Sequence, residues 1–225
     1  MNISGKKILI VSPHPDDETL GAGGFIKKLV ENDNIVNVLT VSGHLPPLYD
    51  QADYDITESE AREAYNVLGV ERFSFLKIPA TYVSEEPVSE LNGKIGHYFE
   101  EFEPSVVLCP FPDRHIDHRV IFDSVMVASR PVGYGKKINM LAAYETLSET
   151  HWNAPYVEPN FNHNIVVDIS DQIETKLDAL RLYKSQIDES EGPRSIEAVR
   201  ALAKFRGSQA GFSYGEAFYL IRQTY

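Results

Sequence analysis

The chain has 225 residues, an ordinary globular composition and a formal net charge of −12 at pH 7. This acidic balance argues against a protein that binds nucleic acid or an anionic membrane non-specifically, because both need clustered lysine and arginine. Cys109 is the only cysteine, so no intrachain disulfide can form, and we expect it to be a small buried side chain. No apolar run approaches the ~20 residues that span a bilayer, and the N-terminus lacks a signal peptide's apolar stretch. We therefore expect a cytoplasmic protein that forms one domain over residues 1–225.

Apolar runs rich in Val, Ile and Phe alternate with stretches of helical period along the chain. This alternation predicts a Rossmann-like three-layer α/β fold with a mostly parallel sheet and an active site at the carboxyl ends of the strands. The predicted strands are 7–12, 35–42, 72–78, 105–111, 138–144, 164–169 and 215–223. The predicted helices are 19–30, 57–68, 88–102, 120–129, 171–186 and 193–207. Thr57 and Glu60 have the spacing of a capping box at the start of the second helix, and Gly69 is expected to end it.

Two longer segments lack a clear period. Residues 43–56 are predicted to be a loop beside the site, and residues 145–162 a flap that faces the substrate, since loops of this length are uncommon unless they are functional. His44 and His151 lie on these two segments, which are predicted to border the site. Glu145, at the end of a predicted strand, is a weaker candidate for a substrate contact.

Two polar clusters follow predicted strands and precede predicted helices. The first contains His14, Asp16 and Asp17, and the second contains His115 and His118. Zinc hydrolases commonly use three His or carboxylate ligands and leave one position open. His14 and Asp17 with one of the two later histidines would supply such a set, and Asp16 is the natural general base for a metal-bound water. Spacing leaves open which later histidine is the ligand; the other would stabilise an oxyanion or protonate a leaving nitrogen.

The neighbours of these residues have simpler interpretations. Glu18 fits a structural role at a helix start, where carboxylates complement the dipole. Asp117 is expected to orient a histidine rather than bind metal. Arg114 faces either solvent or an anionic group of the substrate. A turn that only caps a helix is the alternative for the first cluster, and the presence of the second cluster favours the metal site.

The chain resembles the LmbE-like, PIG-L-type metal-dependent N-deacetylases. The resemblance depends on residues 13–18 and 115–118, with softer agreement in residues 60–70, 176–186 and 214–218. Members of that family remove an acetyl or related acyl group from the nitrogen of an amino sugar, using zinc or another divalent metal on a Rossmann-like sheet. The resemblance implies the same activity here, with an N-acylated amino sugar or sugar conjugate as the substrate. The acidic charge and the lack of a long apolar run predict no nucleic-acid partner and no membrane span, and a homo-oligomer is compatible with the sequence.

The resemblance also implies roles for individual residues. His14, Asp17 and His118 would bind the metal, Asp16 would be the general base, and His115 would stabilise the oxyanion or protonate the amine. One position departs from the family pattern, because many relatives have a substrate-binding arginine where this chain has Thr57. The substrate-binding residues and the particular sugar therefore do not follow from the resemblance, and Arg62, one helical turn away, is not an evident replacement.

Two other functions fit parts of the pattern. A dinucleotide-binding oxidoreductase would use the glycines after the first strand, but Gly21, Gly23 and Gly24 lack the G-x-G-x-x-G spacing and fall within a predicted helix. A non-catalytic sugar-binding protein would keep the metal site alone. The presence of both Asp16 and His115 favours an enzyme.

Overall fold

A computed structural model describes residues 3–154, 156–187 and 192–224. The strands in these ranges form one sheet of seven strands, in the order β3-β2-β1-β4-β5-β7-β6. They are β1 (Lys7–Ser12), β2 (Ile35–Gly43), β3 (Arg72–Pro79), β4 (Val106–Pro110), β5 (Met140–Tyr144), β6 (Ile165–Asp168) and β7 (Gly215–Gln223). Strands β1 to β5 are parallel to one another, and β7 runs antiparallel to β5 and β6. The predicted mostly parallel α/β sheet is confirmed.

Helices cover both faces of the sheet. They are α1 (Asp17–Glu31), α2 (Gln51–Leu68), α3 (Val88–Phe102), α4 (Ile116–Ala128), α5 (Ile173–Leu180) and α6 (Ile196–Ala210). Along β1, Ile8 and Ile10 pack into the core under α1, α2, α5 and α6, whereas Leu9 and Val11 pack into the core under α3 and α4. Successive side chains of a strand point to opposite faces, so this apolar run supplies both cores at once. No described helix is long and apolar enough to cross a membrane.

The second helix begins earlier than the sequence indicates. It starts at Gln51, after the extended N-cap residue Asp50. The predicted loop 43–56 is therefore wrong for residues 51–56, which are helical. Thr57 lies inside the helix, where its hydroxyl donates to the Tyr54 carbonyl at 3.1 Å. The predicted capping box is therefore wrong, because the same spacing also occurs inside a helix. Gly69 ends α2 with φ 81°, as predicted.

Other helix bounds shift as well. The fifth helix ends at Leu180 rather than at residue 186, and the sixth begins at Ile196, where the Ser195 hydroxyl accepts a hydrogen bond from the Ala198 N–H at 3.2 Å. The fourth helix begins at Ile116, four positions before the predicted start. This last shift matters for the site, since it places His118 on the first turn of α4.

The glycines of α1 allow this helix to lie close to the sheet. A Cβ at Gly21 would overlap the Tyr144 ring and the Glu145 carbonyl, and one at Gly24 would lie 2.7 Å from the Ile169 side chain. These glycines are buried inside the helix rather than at its start, where a dinucleotide phosphate would bind. Close packing explains them, and the structure offers no phosphate loop at this position.

Candidate active site

The two polar clusters meet at the carboxyl edge of neighbouring strands. The connection from β1 to α1 carries the first cluster, and the connection from β4 to α4 carries the second. Strands β1 and β4 pair directly, so the two connections open at the same place. His14 Nε2 lies 3.0 Å from Asp117 Oδ2, although the two residues are 103 positions apart in the chain.

His14, Asp17 and His118 form a compact group of potential metal ligands. One donor atom from each lies within 4.8 Å of the others. Asp17 Oδ2 is 3.0 Å from His14 Nδ1 and 3.3 Å from His118 Nε2. His118 Nε2 and Asp17 Oδ1 are buried and have no hydrogen-bond partner among the described residues. Unpartnered buried polar atoms are rare in folded proteins, and a cation between these side chains would satisfy both, so the donor set fits a divalent metal.

A second group, His14, His115 and Asp117, meets the same distance criterion. Its members are already engaged by the protein. The Asp117 N–H donates to His115 Nδ1 at 3.2 Å, which caps α4, and Asp117 Oδ2 accepts from the Thr81 N–H at 2.7 Å. Asp117 Oδ1 is left without a partner among the described residues. The first group, with two unpartnered donor atoms, is the better cation site.

Carboxylates orient both histidines of the first group. Asp117 Oδ2 holds His14 Nε2, and Asp113 Oδ2 lies 3.1 Å from His118 Nδ1. Asp113 is held in turn by the Thr150 hydroxyl, which donates to it at 2.8 Å. A carboxylate behind each imidazole fixes the ring so that its other nitrogen faces the cation. Asp117 thus has the orienting position expected from the sequence. Asp113, two residues before His115, was given no role by the sequence analysis.

The carboxylates also set the charge of the cluster. Burial lowers the pKa of His14, but hydrogen bonds to Asp117 and Asp17 outweigh burial and raise it to about 9. Burial likewise lowers the pKa of His118, but Asp17 and Asp113 raise it to about 10. Burial raises the pKa of Asp17, and the two imidazoles reverse this and hold it well below its usual range. The cluster therefore stabilises positive charge, either as protons or as a metal.

Asp16 lies beside the ligand group, directly before Asp17 in the chain. Its side chain is buried and accepts a hydrogen bond from Arg194 Nη1 at 3.0 Å. Its backbone has φ 120°, a strained value for a residue other than glycine. Burial raises the pKa of Asp16 to about 7, while the Arg194 guanidinium acts in the opposite direction. A carboxyl with a pKa near neutral suits a general base.

His115 completes the rim of the cluster. Its ring centroid lies 4.7 Å from that of His14 and 5.0 Å from that of His118. Burial and these two imidazoles lower the pKa of His115 to about 4, so its ring is neutral at pH 7. Because Nδ1 accepts the Asp117 N–H, the proton of the neutral ring lies on Nε2, which is left as a donor.

Three weaker sequence candidates have structural partners. Glu18 accepts hydrogen bonds from the hydroxyls of Ser12, Thr19 and Tyr183, which agrees with the structural role predicted for it. Glu145 is not exposed to a substrate: its buried carboxylate pairs with Arg206 at 2.6 Å and with His151 at 3.0 Å. The expectation that Glu145 contacts the substrate is therefore not supported, and His151, on a loop predicted to border the site, is a partner of this buried carboxylate.

The two remaining candidates, His44 and Arg114, lie at the edge of the site. The His44 ring packs on Tyr49 with centroids 4.3 Å apart, and burial together with His14 and Arg194 lowers the pKa of His44, which indicates that it borders the site. Arg114 is exposed beside His115.

Neither arginine position considered from the sequence reaches the cluster. Thr57 is buried within α2, and Arg62 pairs with Glu58 at 2.5 Å while its guanidinium packs over Phe73. The arginine that does reach it is Arg194, from the turn before α6. Sequence reasoning missed Arg194, because no local pattern shows that this turn faces the start of α1.

Comparison with known proteins agrees with this arrangement. The sequence profile described as "PIG-L: GlcNAc-PI de-N-acetylase" matches residues 9–129, a segment that contains both polar clusters. The chain belongs to the PIG-L family. A diacetylchitobiose deacetylase from Thermococcus kodakarensis is 29% identical over 96% of this chain and 83% of its own length.

Solved structures of PIG-L type share the fold. The conserved protein TT1542 from Thermus thermophilus superposes with a TM-score of 0.79 and 25% identity, covering 98% of this chain and 96% of that one. The N,N'-diacetylchitobiose deacetylase from Pyrococcus horikoshii, solved with an inhibitor, has a TM-score of 0.75 and 26% identity over 96% of this chain and 84% of its own. The family expected from the two motifs is confirmed.

Proposed function

We propose that this PIG-L protein is a metal-dependent N-deacetylase that hydrolyses the acetamido group of an amino sugar or sugar conjugate. The observation that carries the proposal is the convergence of His14, Asp17 and His118, with unpartnered donor atoms, beside the buried carboxylate of Asp16. The deacetylase activity named for the Thermococcus and Pyrococcus relatives supports the reaction type and the amino-sugar class.

In this account His14, Asp17 and His118 hold the metal. Two imidazoles and one carboxylate are the donor set of many catalytic zinc sites, so zinc is our first choice among divalent metals. A divalent cation at such a site lowers the pKa of a coordinated water and polarises the carbonyl oxygen of an amide. Asp113 and Asp117 keep the two imidazoles in the orientation that this site needs.

The other residues move protons and stabilise charge. Asp16 accepts a proton from the attacking water as the new carbon–oxygen bond forms. His115 donates a hydrogen bond from Nε2 to the carbonyl oxygen as it becomes an oxyanion. The carbon–nitrogen bond then breaks, the amine leaves with the proton that Asp16 took from the water, and acetate is the second product.

The alternatives are less well supported. An oxidoreductase would need a dinucleotide site, and the glycines of α1 are used for close packing instead. The presence of both Asp16, placed as a base, and His115, placed as a hydrogen-bond donor, favours an enzyme over a sugar-binding protein without activity.

The direct test measures acetate released from N-acetylglucosamine, diacetylchitobiose and anionic N-acetylglucosamine conjugates. We expect release that chelation abolishes and that added zinc restores. Asp16→Asn should lower kcat by about 100- to 10,000-fold, because general base catalysis contributes about that much. Asp33→Asn, an exposed change near the other end of α1, is the control and should leave kcat unchanged. Metal-independent release, or full turnover by Asp16→Asn, would contradict the proposal.

A further inference from the structure

Arg194 is the described side chain that donates a hydrogen bond to the Asp16 carboxylate. Its Nη1 lies 3.0 Å from Asp16 Oδ2, and its Nε donates to the Ser148 hydroxyl at 3.2 Å. We propose that Arg194 is the positioning residue for Asp16, and that it keeps this carboxylate turned away from the metal ligands. The inference rests on the proposed function, because it assigns Arg194 a role in the same reaction.

The guanidinium connects three separate parts of the chain. Asp16 precedes α1, Ser148 lies in the segment after β5, and Arg194 precedes α6. Asp16 and Ser148 are both buried, whereas the Arg194 side chain is 24% exposed. A planar guanidinium that is fixed at two of its nitrogens holds a carboxylate in one orientation better than a flexible ammonium does.

Asp16 needs such a partner because its own element does not hold its side chain. Although Asp16 occupies the N-cap position of α1, its carboxylate makes no capping hydrogen bond. The adjacent Asp17 is held by both imidazoles of the ligand group. A mobile carboxylate at Asp16 would be free to turn toward the cation, where it would occupy the position that the substrate and water need.

Three other cations near this edge of the sheet pair with carboxylates other than Asp16. The pairs are Lys176 with Glu216 at 2.6 Å, Arg206 with Glu145 at 2.6 Å and Arg119 with Glu158 at 2.5 Å. Among the described ion pairs, the contact of Arg194 with Asp16 is therefore the one that places a permanent cation against the proposed general base.

The test compares Arg194→Met with Arg194→Lys and with Arg200→Met. Arg200 lies on α6 and pairs with the exposed Glu174, so its variant is the matched control. We expect Arg194→Met to lower kcat about 10- to 100-fold with KM within about twofold of wild type, since misplacing a reacting group by about 1 Å costs up to about 100-fold. Arg194→Lys keeps the charge without the planar fork and should recover part of the loss. Ser148→Ala, which removes the second anchor, should give a smaller loss.

Two readouts separate positioning from a general loss of structure. Metal content by elemental analysis and the unfolding temperature should match wild type in Arg194→Met. In cobalt-loaded protein, Arg194→Met should change the visible absorption spectrum, because Asp16 is then free to approach the metal. An unchanged kcat and spectrum, or a raised KM with unchanged kcat, would overturn the inference.

Failure of the proposed function would look different. Wild-type protein would then release no acetate from any sugar in the panel. The inference would still be decided by the Arg194 Nη1–H signal in a nitrogen-15 NMR spectrum, because Nη1 is the nitrogen that donates to Asp16. We expect that signal to be protected from exchange in wild type and to lose protection in Asp16→Ala. A signal that is the same in both proteins would contradict the pairing.

Discussion

Asp16 and Asp17 are neighbours in the chain but lie in opposite electrostatic environments. The imidazoles of His14 and His118 hold the pKa of Asp17 well below its usual range, whereas burial raises the pKa of Asp16 to about 7. Two carboxyls whose environments separate their pKa values in this way suit different roles, one as a metal ligand and one as a base. The sequence identified both residues, because they are adjacent in a motif. It did not identify Arg194, which reaches Asp16 only through the tertiary fold.

Asp113 offers a test of the carboxylates behind the histidines. We expect Asp113→Asn to lower zinc affinity by about 10- to 100-fold, because the amide orients the His118 ring less strongly than the carboxylate does. Competition against a chelator with a known zinc affinity measures the change. Asp123→Asn, an exposed change on α4, is the control. Equal affinities for wild type and Asp113→Asn would show that Asp113 does not support the site.

At the scale of the element, α1 is fixed from outside by a buried ion pair. Glu216 accepts hydrogen bonds from the N–H groups of Gly24 and Phe25 at 2.8 and 2.7 Å, and Lys176 donates to the Leu20 carbonyl at 2.7 Å. The pair inserts into the hydrogen-bond ladder of the helix whose start carries the site. Lys176 and Glu216 each lie in one of the two stretches, 176–186 and 214–218, that agree more weakly with the family pattern. Holding α1 in place gives both stretches a structural role.

The segment after β5 is also anchored rather than loose. Glu145 pairs with Arg206 and His151, and Thr150 donates to Asp113, so residues that the sequence placed in a flap support the site from behind. Whether the outer part of this segment, around the exposed Trp152, covers a substrate stays a prediction.

The Glu145 ion pair predicts a pH dependence of stability. Burial raises the pKa of Glu145, but His151 and Arg206 outweigh burial and hold it below its usual range. A depressed pKa contributes stability above the unfolded value of about 4.3, and this contribution is lost as the pH falls through the lower folded value. Glu145→Gln should therefore lower the free energy of unfolding by about 3 kcal/mol at pH 7 and by progressively less below pH 4.

Urea unfolding at several pH values measures this difference. Glu174→Gln, which alters an exposed pair with Arg200, is the control and should change the stability little at any pH. A loss for Glu145→Gln that is the same at pH 7 and at pH 3 would contradict the electrostatic explanation.

At the scale of the whole molecule, the order of the strands creates the site. The chain runs outward from β1 through β2 to β3, then returns to β4 on the other side of β1. Ligands of open α/β sheets bind where the strand order reverses in this way, between the first and fourth strands here. The alternation of strands and helices predicted the fold class, and the two motifs predicted the residues. That β1 and β4 are neighbours was not visible in the sequence. The expectation that the two clusters meet depended on their equivalent positions after strands and on the family resemblance.

Local patterns predicted element bounds unevenly. The strands β1 and β7 and the helix α3 have the predicted bounds, since each is a strongly periodic run with clear ends. The start of α2 was missed because the residues before its buried face are mostly polar and show no apolar period. The start of α4 was missed because its first turn carries the site, where chemistry rather than apolar periodicity selects the residues.

The central claim is that His14, Asp17 and His118 bind one catalytic cation. The most direct measurement is the metal content of purified, zinc-loaded protein by elemental analysis, for wild type, His14→Ala, His118→Ala and the exposed α3 variant His97→Ala. We expect about one zinc ion per chain in wild type and in His97→Ala, and a loss of most of it in the other two variants, since each removes one of three protein ligands. Full zinc content in both His14→Ala and His118→Ala would contradict the account.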